Sequence, residues 1–392
     1  MPRHDITLNL PGFTVKKIRG YDPVFYIVNY RRVVRCPHCC SKDLRKKDKY
    51  LREVEHVPIG ERRSVLLLES YKYHCRNCKR YFRQRFEGIL PWQRSTEPFK
   101  KYIYHLHKEG LSRSSLSKSF KKSDNTICKF YNYVYNLEIK KLKNISLPRV
   151  LGIDEHYFSK RNKIYATTFC DLSKKRIFDI AEGKSSKDLS SYLNSLKGKN
   201  QVKVVCMDLS SSYKSIVKKH FPQAQIVVDR FHVVKLAIYR LIQTATTLSP
   251  SLKDEKGIII LLRKNRCNLT ANQKERLDMY LKENPVVKSV YEHKEEWVEL
   301  LNKKKMTRRG ARPLAYKFFE LLDKLKQLPV NPAKQLYKTL DKWKEEIARM
   351  WRFSKNNGIT EGFHRKMKLI QRAAYGFKTF DNYRKRVIVS CR

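Results

Sequence analysis

Acidic residues are scarce in this chain. Its 392 residues hold 37 Asp plus Glu against 86 Lys plus Arg, a formal net charge of +49 at pH 7. So few carboxylates disfavour an acidic-protein mimic, a cation-binding surface or a neutral metabolic enzyme, and call for a polyanionic partner. Long apolar runs are missing as well. Stretches such as Ile258 to Leu262 fall far short of the roughly 20 residues of a membrane-spanning helix, and the start MPRHDITLNL has no secretory apolar region. Nucleic acid is therefore the expected partner rather than a membrane, and the protein is expected to be soluble and cytoplasmic. A disulfide-dense composition is absent too: of ten cysteines, four fall in two C-x-x-C pairs, which in a cytosolic protein indicate metal. No solenoid-period repeat and no Gly/Ser- or Pro-rich linker divides the chain.

What is present suffices for a folded protein. With 41% hydrophobic and 11% aromatic residues, the chain can bury a sizeable core, and its length predicts two or three domains. Charge is uneven: residues 1–150 carry 34 basic and 13 acidic residues, whereas residues 151–235 carry 16 and 8. Short β segments (FYIVNY, RRVVR at 31–35, RRSVLLLESYKY) bracket the Cys pairs. Helical periodicity runs from Phe99 to about Leu142, broken at Gly110 and at Lys121 to Ser123. From Arg149, three strand-like runs (RVLGIDEHYF, KIYATTFCDL, RIFDIAEG) precede a helix (SSKDLSSYLNSLKG), a strand (VKVVCMDL), a helix (SSYKSIVKKHF) and a strand (QIVVDRF). A meander followed by alternation predicts a mixed sheet covered by helices. Residues 234 to 350 read as helical throughout, with Trp297, Trp343 and Trp351 as core anchors, and a further helix spans Ile359 to about Arg372.

Cys36-Pro37-His38-Cys39 and Cys75-Arg76-Asn77-Cys78 supply four thiolates at the spacing that lets each turn direct two sulfurs at a tetrahedral zinc. A β-hairpin fits between them. Cys40, His38 and His74 stay open as alternative ligands. Downstream, KEGLSRSSLSKSFKKSDNTICKFYNYV reads as a helix-turn-helix, with a helix about Ser112 to Phe120 and a second opened by Ser123 or Asp124. That second helix would present Asn125, Thr126 and Lys129 to base edges in a major groove.

In a chain so poor in acids, an Asp ending an apolar strand stands out. Asp154 in VLGIDEH, Asp208 in VVCMDLS and Asp229 in IVVDRFH are three such cases, while Asp171 reads as a turn former. If the strands are neighbours, three carboxylates meet at one sheet edge and need a cation, for which Mg²⁺ or Mn²⁺ is suited. Two such ions can clamp an in-line phosphoryl displacement. The residues alone do not choose a third ligand between Asp229 and a later acid.

The Cys quartet, the helix-turn-helix, GIDE, MDLS, VVDRFH and a late NNGITEG followed by KLIQRAAYGFKTFDNYRKRV resemble, over nearly the whole chain, the bacterial insertion-sequence transposases of the ISL-three family. The resemblance implies a DDE transposase with a ribonuclease H-like mixed-sheet catalytic core, interrupted by an all-α insertion and preceded by a β-rich zinc-binding domain and a helix-turn-helix. Domains are then expected at 1–95 (zinc-binding), 96–147 (helix-turn-helix), 148–233 (core, first part), 234–352 (insertion) and 353–392 (last core helix). It also implies Asp154, Asp208 and Glu361 as the catalytic, magnesium-binding triad, with Asp229 and His232 auxiliary. Lys303 to Lys305, Arg308, Arg309 and Arg312 of the insertion would line DNA. The expected activity is divalent-metal-dependent cleavage and strand transfer at terminal inverted repeats of double-stranded DNA. It would be performed by a homo-oligomer on DNA, in a bacterial cytoplasm and on the nucleoid when bound. The rivals are a ribonuclease H-like nuclease or resolvase without strand transfer, and a domesticated zinc-finger DNA-binding protein.

Overall fold

The computed structural model describes residues 8–142, 146–159, 162–304, 307–353 and 358–392. It divides into two compact units: Met1–Lys143 with Ile370–Phe377, and Asn144–Leu369 with Lys378–Arg392.

The first unit opens with a sheet of β1 (Phe13–Arg19), β2 (Val24–Tyr30), β3 (Leu44–Ile59), β4 (Arg62–Cys75) and β5 (Tyr81–Arg83), ordered β1-β2-β4-β3 with β5 also on β4. Alternation in VFYIVNY buries Val24, Tyr26 and Val28 against Leu8, Leu10, Phe13, Leu66 and Leu68. Residues 31–35, expected as a strand, are not one. The β2–β4 pairing ends at Val28↔Leu68, so RRVVR has no partner strand, and Val33 is 70% exposed on the way into the first Cys turn. The hairpin expected between the Cys pairs is β3–β4, but the outer half of β3, LRKKDKYLRE, was not foreseen because it is almost wholly charged. β3 is an edge strand, where Lys and Arg discourage pairing with other chains.

Three helices follow: α1 (Glu97–Lys108), α2 (Arg113–Phe120) and α3 (Asp124–Leu142). The breaks fall at Gly110 (φ +120°) and at Lys121 (φ +49°). Each start has an oxygen cap: Thr96 accepts from Phe99 N–H, Ser112 from Ser115 N–H, and Ser123 from Thr126 N–H. Phe99, Ile103, Leu116, Phe120, Ile127 and Phe130 form the shared core.

The second unit holds β6 (Val150–Ser159), β7 (Ile164–Asp171), β8 (Arg176–Glu182), α4 (Ser186–Ser195), β9 (Val204–Met207), α5 (Ser211–His220) and β10 (Gln225–Val228). The sheet order is β10-β9-β6-β7-β8. β6, β7 and β8 are an antiparallel meander, whereas β6, β9 and β10 run parallel. A capping box of Ser185 and Asp188 opens α4. The parallel strands β9 and β10 are short, apolar and almost entirely buried, as strands covered on both faces must be.

Beyond them come α6 (Arg230–Leu248), α7 (Lys256–Arg263), α8 (Ala271–Glu283), α9 (Pro285–Asn302), α10 (Arg308–Gln327), α11 (Asn331–Lys342) and α12 (Lys344–Arg352). The chain closes with α13 (Gly358–Ala373) and α14 (Phe380–Cys391). One apolar core runs from the sheet through α12, and Trp297, Trp343 and Trp351 are buried in it. Trp351 Nε1 donates to Leu300 O at 3.2 Å. The helices are tied back to the sheet side by Lys214–Glu346 (2.7 Å) and by Arg230 donating to Met350 O (2.9 Å). The helix α14, not foreseen, is clamped to β8 by a two-pronged Arg384–Asp179 pair at 2.6 and 2.8 Å. Among the described residues no helix is long and apolar enough to cross a membrane.

Candidate active site and zinc centre

The two Cys turns converge at the outer end of the β3–β4 hairpin. One thiolate from each of Cys36, Cys39, Cys75 and Cys78 lies within 4.8 Å of the other three, with Cys36–Cys78 at 3.6 Å and Cys39–Cys75 at 3.5 Å. A tetrahedral zinc with Zn–S bonds of about 2.3 Å sets its sulfurs about 3.8 Å apart, so the cradle fits that ion. The Cys78 backbone N–H brings the Cys75 thiol down to about 7, favouring the thiolate that a metal needs. Cys40 stands outside the quartet. It is exposed at φ +58°, just as Lys79 after the second pair adopts φ +55°, so both residues turn the chain out of their loops. His38 faces Arg80 at 3.4 Å and the His74 ring lies against Tyr81.

In the second unit, register brings the acids together. β6 pairs with β9 at Gly152↔Cys206, and β9 with β10 at Met207↔Val228. Carried on by one or two residues, the same register puts Asp154, midway along β6, beside Asp208 and Asp229, which directly follow the carboxyl ends of β9 and β10, on three adjacent parallel strands spaced by about 4.8 Å. The Asp229 N–H, donating to Met207 O at 2.8 Å, continues that ladder. Asp229 also caps α6 by accepting from Phe231 N–H. One turn on, His232 Nε2 reaches Asp208 Oδ1 at 3.2 Å and Asp229 Oδ2 at 3.8 Å. Ligand atoms of Asp208, Asp229 and His232 all lie within 4.8 Å of one another.

The electrostatics match this crowding. Burial, then the Asp229 and Glu361 charges, push Asp154 up to about 7, despite a bond from the Glu155 N–H. Burial, then Asp154 and Asp229, push Asp208 up to about 8. Glu361 stands in the first turn of α13, and its charge acts on Asp154, Asp208 and His232. Buried carboxylates that disfavour one another's ionisation, with an imidazole at their edge, are a donor set that a divalent cation fits.

A sequence model of transposases, the DDE group of ISL3 elements, matches residues 151–387. The chain belongs to this transposase family. A second model, the zinc finger of transposases of the IS204, IS1001, IS1096 and IS1165 type, matches residues 32–78 and spans all four cysteines. The transposase for insertion sequence element IS1001 of Bordetella parapertussis is 24% identical over 382 residues, covering 94% of this chain and 92% of that protein. Family membership makes this chain a DNA-processing enzyme.

Two histidines of this transposase escaped the sequence reading. Tyr383 O–H lies 2.7 Å from His156 Nε2, His156 Nδ1 is 3.1 Å from Thr168 Oγ1, and Thr168 Oγ1 is 3.1 Å from His364 Nε2. His364 Nδ1 then faces Asp154 Oδ2 at 3.6 Å. Burial holds both imidazoles neutral, pulling His156 down to about 3 and His364 to about 4, and it raises the Tyr383 phenol. With Tyr383 as donor, His156 carries its proton on Nδ1 and gives it to Thr168 Oγ1, and with the Thr168 hydroxyl donating in turn to His364 Nε2, His364 carries its proton on Nδ1. The chain of donors therefore points from Tyr383 towards Asp154. Its sequence signal is spacing: Asp154-x-His156 shares one strand face and Glu361-x-x-His364 one helix face.

The candidate DNA contacts are on helices of both units. Asn125 and Lys129 are exposed on α3, and Thr126 shares its hydroxyl with Ser123 at 2.9 Å. Lys304, Arg309 and Arg312 are exposed, and Lys303 pairs with Glu299. Lys305, the Arg308 side chain, and Asn356 and Asn357 of NNGITEG lie outside the described residues.

Proposed function

We propose that this transposase binds the terminal inverted repeats of its own insertion sequence and carries out divalent-metal-dependent strand cleavage followed by strand transfer. The observation that carries this reading is the alignment of Asp154, Asp208 and Asp229 on adjacent parallel strands, with the Glu361 charge acting on the same group. A central strand flanked by an antiparallel meander on one side and two parallel strands on the other supports a ribonuclease H-like core. In this reading the core comprises residues 148–233 and 353–392, interrupted by the helices of 234–352, and follows a zinc domain (1–95) and a helix-turn-helix (96–147).

Asp154, Asp208 and Glu361 would hold Mg²⁺ or Mn²⁺, with Asp229 and His232 auxiliary; bound there, such ions activate an attacking oxygen and stabilise a leaving one. The protein's own contribution is to fix the donors. β6 and β9 set Asp154 and Asp208 in register, α13 brings Glu361, and the His364 N–H restrains the orientation of Asp154. The helices α2 and α3, with Asn125, Thr126 and Lys129, would read DNA. Two ends must be held for joining, so the working form would be a homo-oligomer on DNA.

Joining of cleaved element ends into a target plasmid tests this reading. Cleavage without joining would favour a nuclease, and metal-independent binding without cleavage would favour a DNA-binding regulator. Partners of metal ligands typically contribute 10–100-fold to metal affinity or activity. His364→Ala is accordingly expected to lower cleavage about 10-fold or more and to raise the Mg²⁺ concentration needed for half-maximal rate, with DNA binding retained. An unchanged Mg²⁺ requirement would show that His364 does not position Asp154.

A further inference from the structure

The first unit carries a concavity of about 830 Å³ beside the zinc end of its sheet, lined by Tyr50, Arg52, Arg83, Arg85, Arg94 and Trp92 among others. Strand periodicity builds it: Tyr50 and Arg52 share one face of β3, and Arg83 and Arg85 lie two apart on β5 and its continuation. Among the described residues none of these four arginines has a carboxylate partner. The one buried acid of the groove, Glu55, already pairs with Arg63 and Lys122. Glu53 also lines the groove, exposed and in no ion pair with these arginines, so six basic side chains, Arg52, Arg63, Arg83, Arg85, Arg94 and Lys122, face two carboxylates, and guanidinium charge is in clear excess.

Trp92 is presented at its rim. Trp92 is 74% exposed, and the Arg83 guanidinium lies 4.3 Å from the ring centroid. Arg83 also reaches to 5.5 Å from the Tyr50 ring. The loop that bears Trp92 is pinned on its carboxyl side: Arg52 donates to Gln93 O at 2.7 Å, Glu55 N–H to Arg94 O at 2.9 Å, and Thr96 N–H to Glu55 O at 2.9 Å. Trp92 itself sits at φ +62°, a left-handed conformation that a bulky residue adopts only at a cost. A large aromatic held in solvent, on a strained and anchored turn, beside unpaired arginines, has the composition of a base-stacking platform with phosphate ligands.

We infer that this groove binds an unpaired nucleotide segment of DNA, with a base stacked on Trp92 and the adjoining phosphates on Arg52, Arg85 and Arg94. This rests on the reading of the protein as a transposase acting on DNA ends, and it deepens that reading: the substrate bound would be a duplex carrying a single-stranded or frayed tail.

The chain has four tryptophans, and Trp297, Trp343 and Trp351 are buried. Intrinsic fluorescence therefore reports on Trp92 nearly alone among solvent-accessible indoles. The probes are oligothymidine, a blunt duplex of the element end, and the same duplex with a tail of about five thymidines, titrated into the full-length zinc-loaded protein. Stacking contributes about 1–3 kcal/mol per base, so the tailed duplex is expected to bind about tenfold more tightly than the blunt one. Oligothymidine should quench the exposed emission. Trp92→Ala should bring the tailed-to-blunt ratio close to one, and Trp92→Phe should restore most of it. Equal binding of both duplexes by the wild type, or the same ratio in Trp92→Ala, would overturn the groove assignment alone. Failure of the wild type to bind either duplex would overturn the DNA-end reading and the groove with it.

Discussion

Asp208→Asn is expected to give a protein that folds more stably at pH 8 than the wild type and cleaves DNA roughly 10³-fold more slowly or worse. A metal clamp contributes several kcal/mol to phosphoryl transfer, and about 4 kcal/mol corresponds to that factor in rate. The stability gain follows from the sign of the shift. Asp208, pushed up to about 8, and Asp154, pushed up to about 7, bind protons more tightly folded than unfolded. The metal-free protein must therefore lose stability as pH rises from the ordinary carboxylate range through 8. The neutral amide of Asn removes one member of the repelling set and flattens that fall. Thermal melts across this range without added divalent ion, paired with a cleavage assay, check both halves. A residue placed for packing would lose stability when replaced, so a destabilised but active variant would show that the carboxylate cluster is structural.

Cys75→Ser should be as damaging, by a different route. Cys75 ends β4 and pairs with Leu44 at the start of β3, so the four-thiolate cradle closes the outer, highly exposed end of the hairpin. That end has little apolar burial of its own, and structural zinc contributes about 10–16 kcal/mol to the folding of comparable small sites. One zinc per chain is expected for the wild type and none for the variant by elemental analysis. Limited proteolysis should cut the variant between residues 31 and 83 and spare the second unit. Cys40→Ser, in contrast, should keep its zinc. Full metal content in Cys75→Ser would remove Cys75 from the ligand set.

Much of this was legible in the sequence because the decisive signals are local. The C-x-x-C turns, the breaks at Gly110 and Lys121, and Asp208 and Asp229 at the ends of apolar strands all act through neighbouring atoms. What was hidden depends on distant partners. The outer half of β3 reads as a charged loop until β4 lies beside it, and RRVVR reads as a strand although no neighbour is there to accept it. The alignment of Asp154 with Asp208 is set by the β6–β9 register, which no spacing along the chain reveals. His156 and His364 are 208 positions apart in sequence and meet only through Thr168. Ser123 rather than Asp124 caps α3, a choice made by hydrogen-bond geometry alone.

The transposase reading stands most directly on the dependence of strand cleavage and joining on Asp154. The measurement is a reaction of end-labelled element-end DNA with a target plasmid and Mg²⁺, comparing the wild type with Asp154→Ala at equal zinc content and equal DNA occupancy. The expected result is cut and joined product from the wild type, and neither product from the variant although it still binds the ends. Full cleavage by Asp154→Ala would contradict the account.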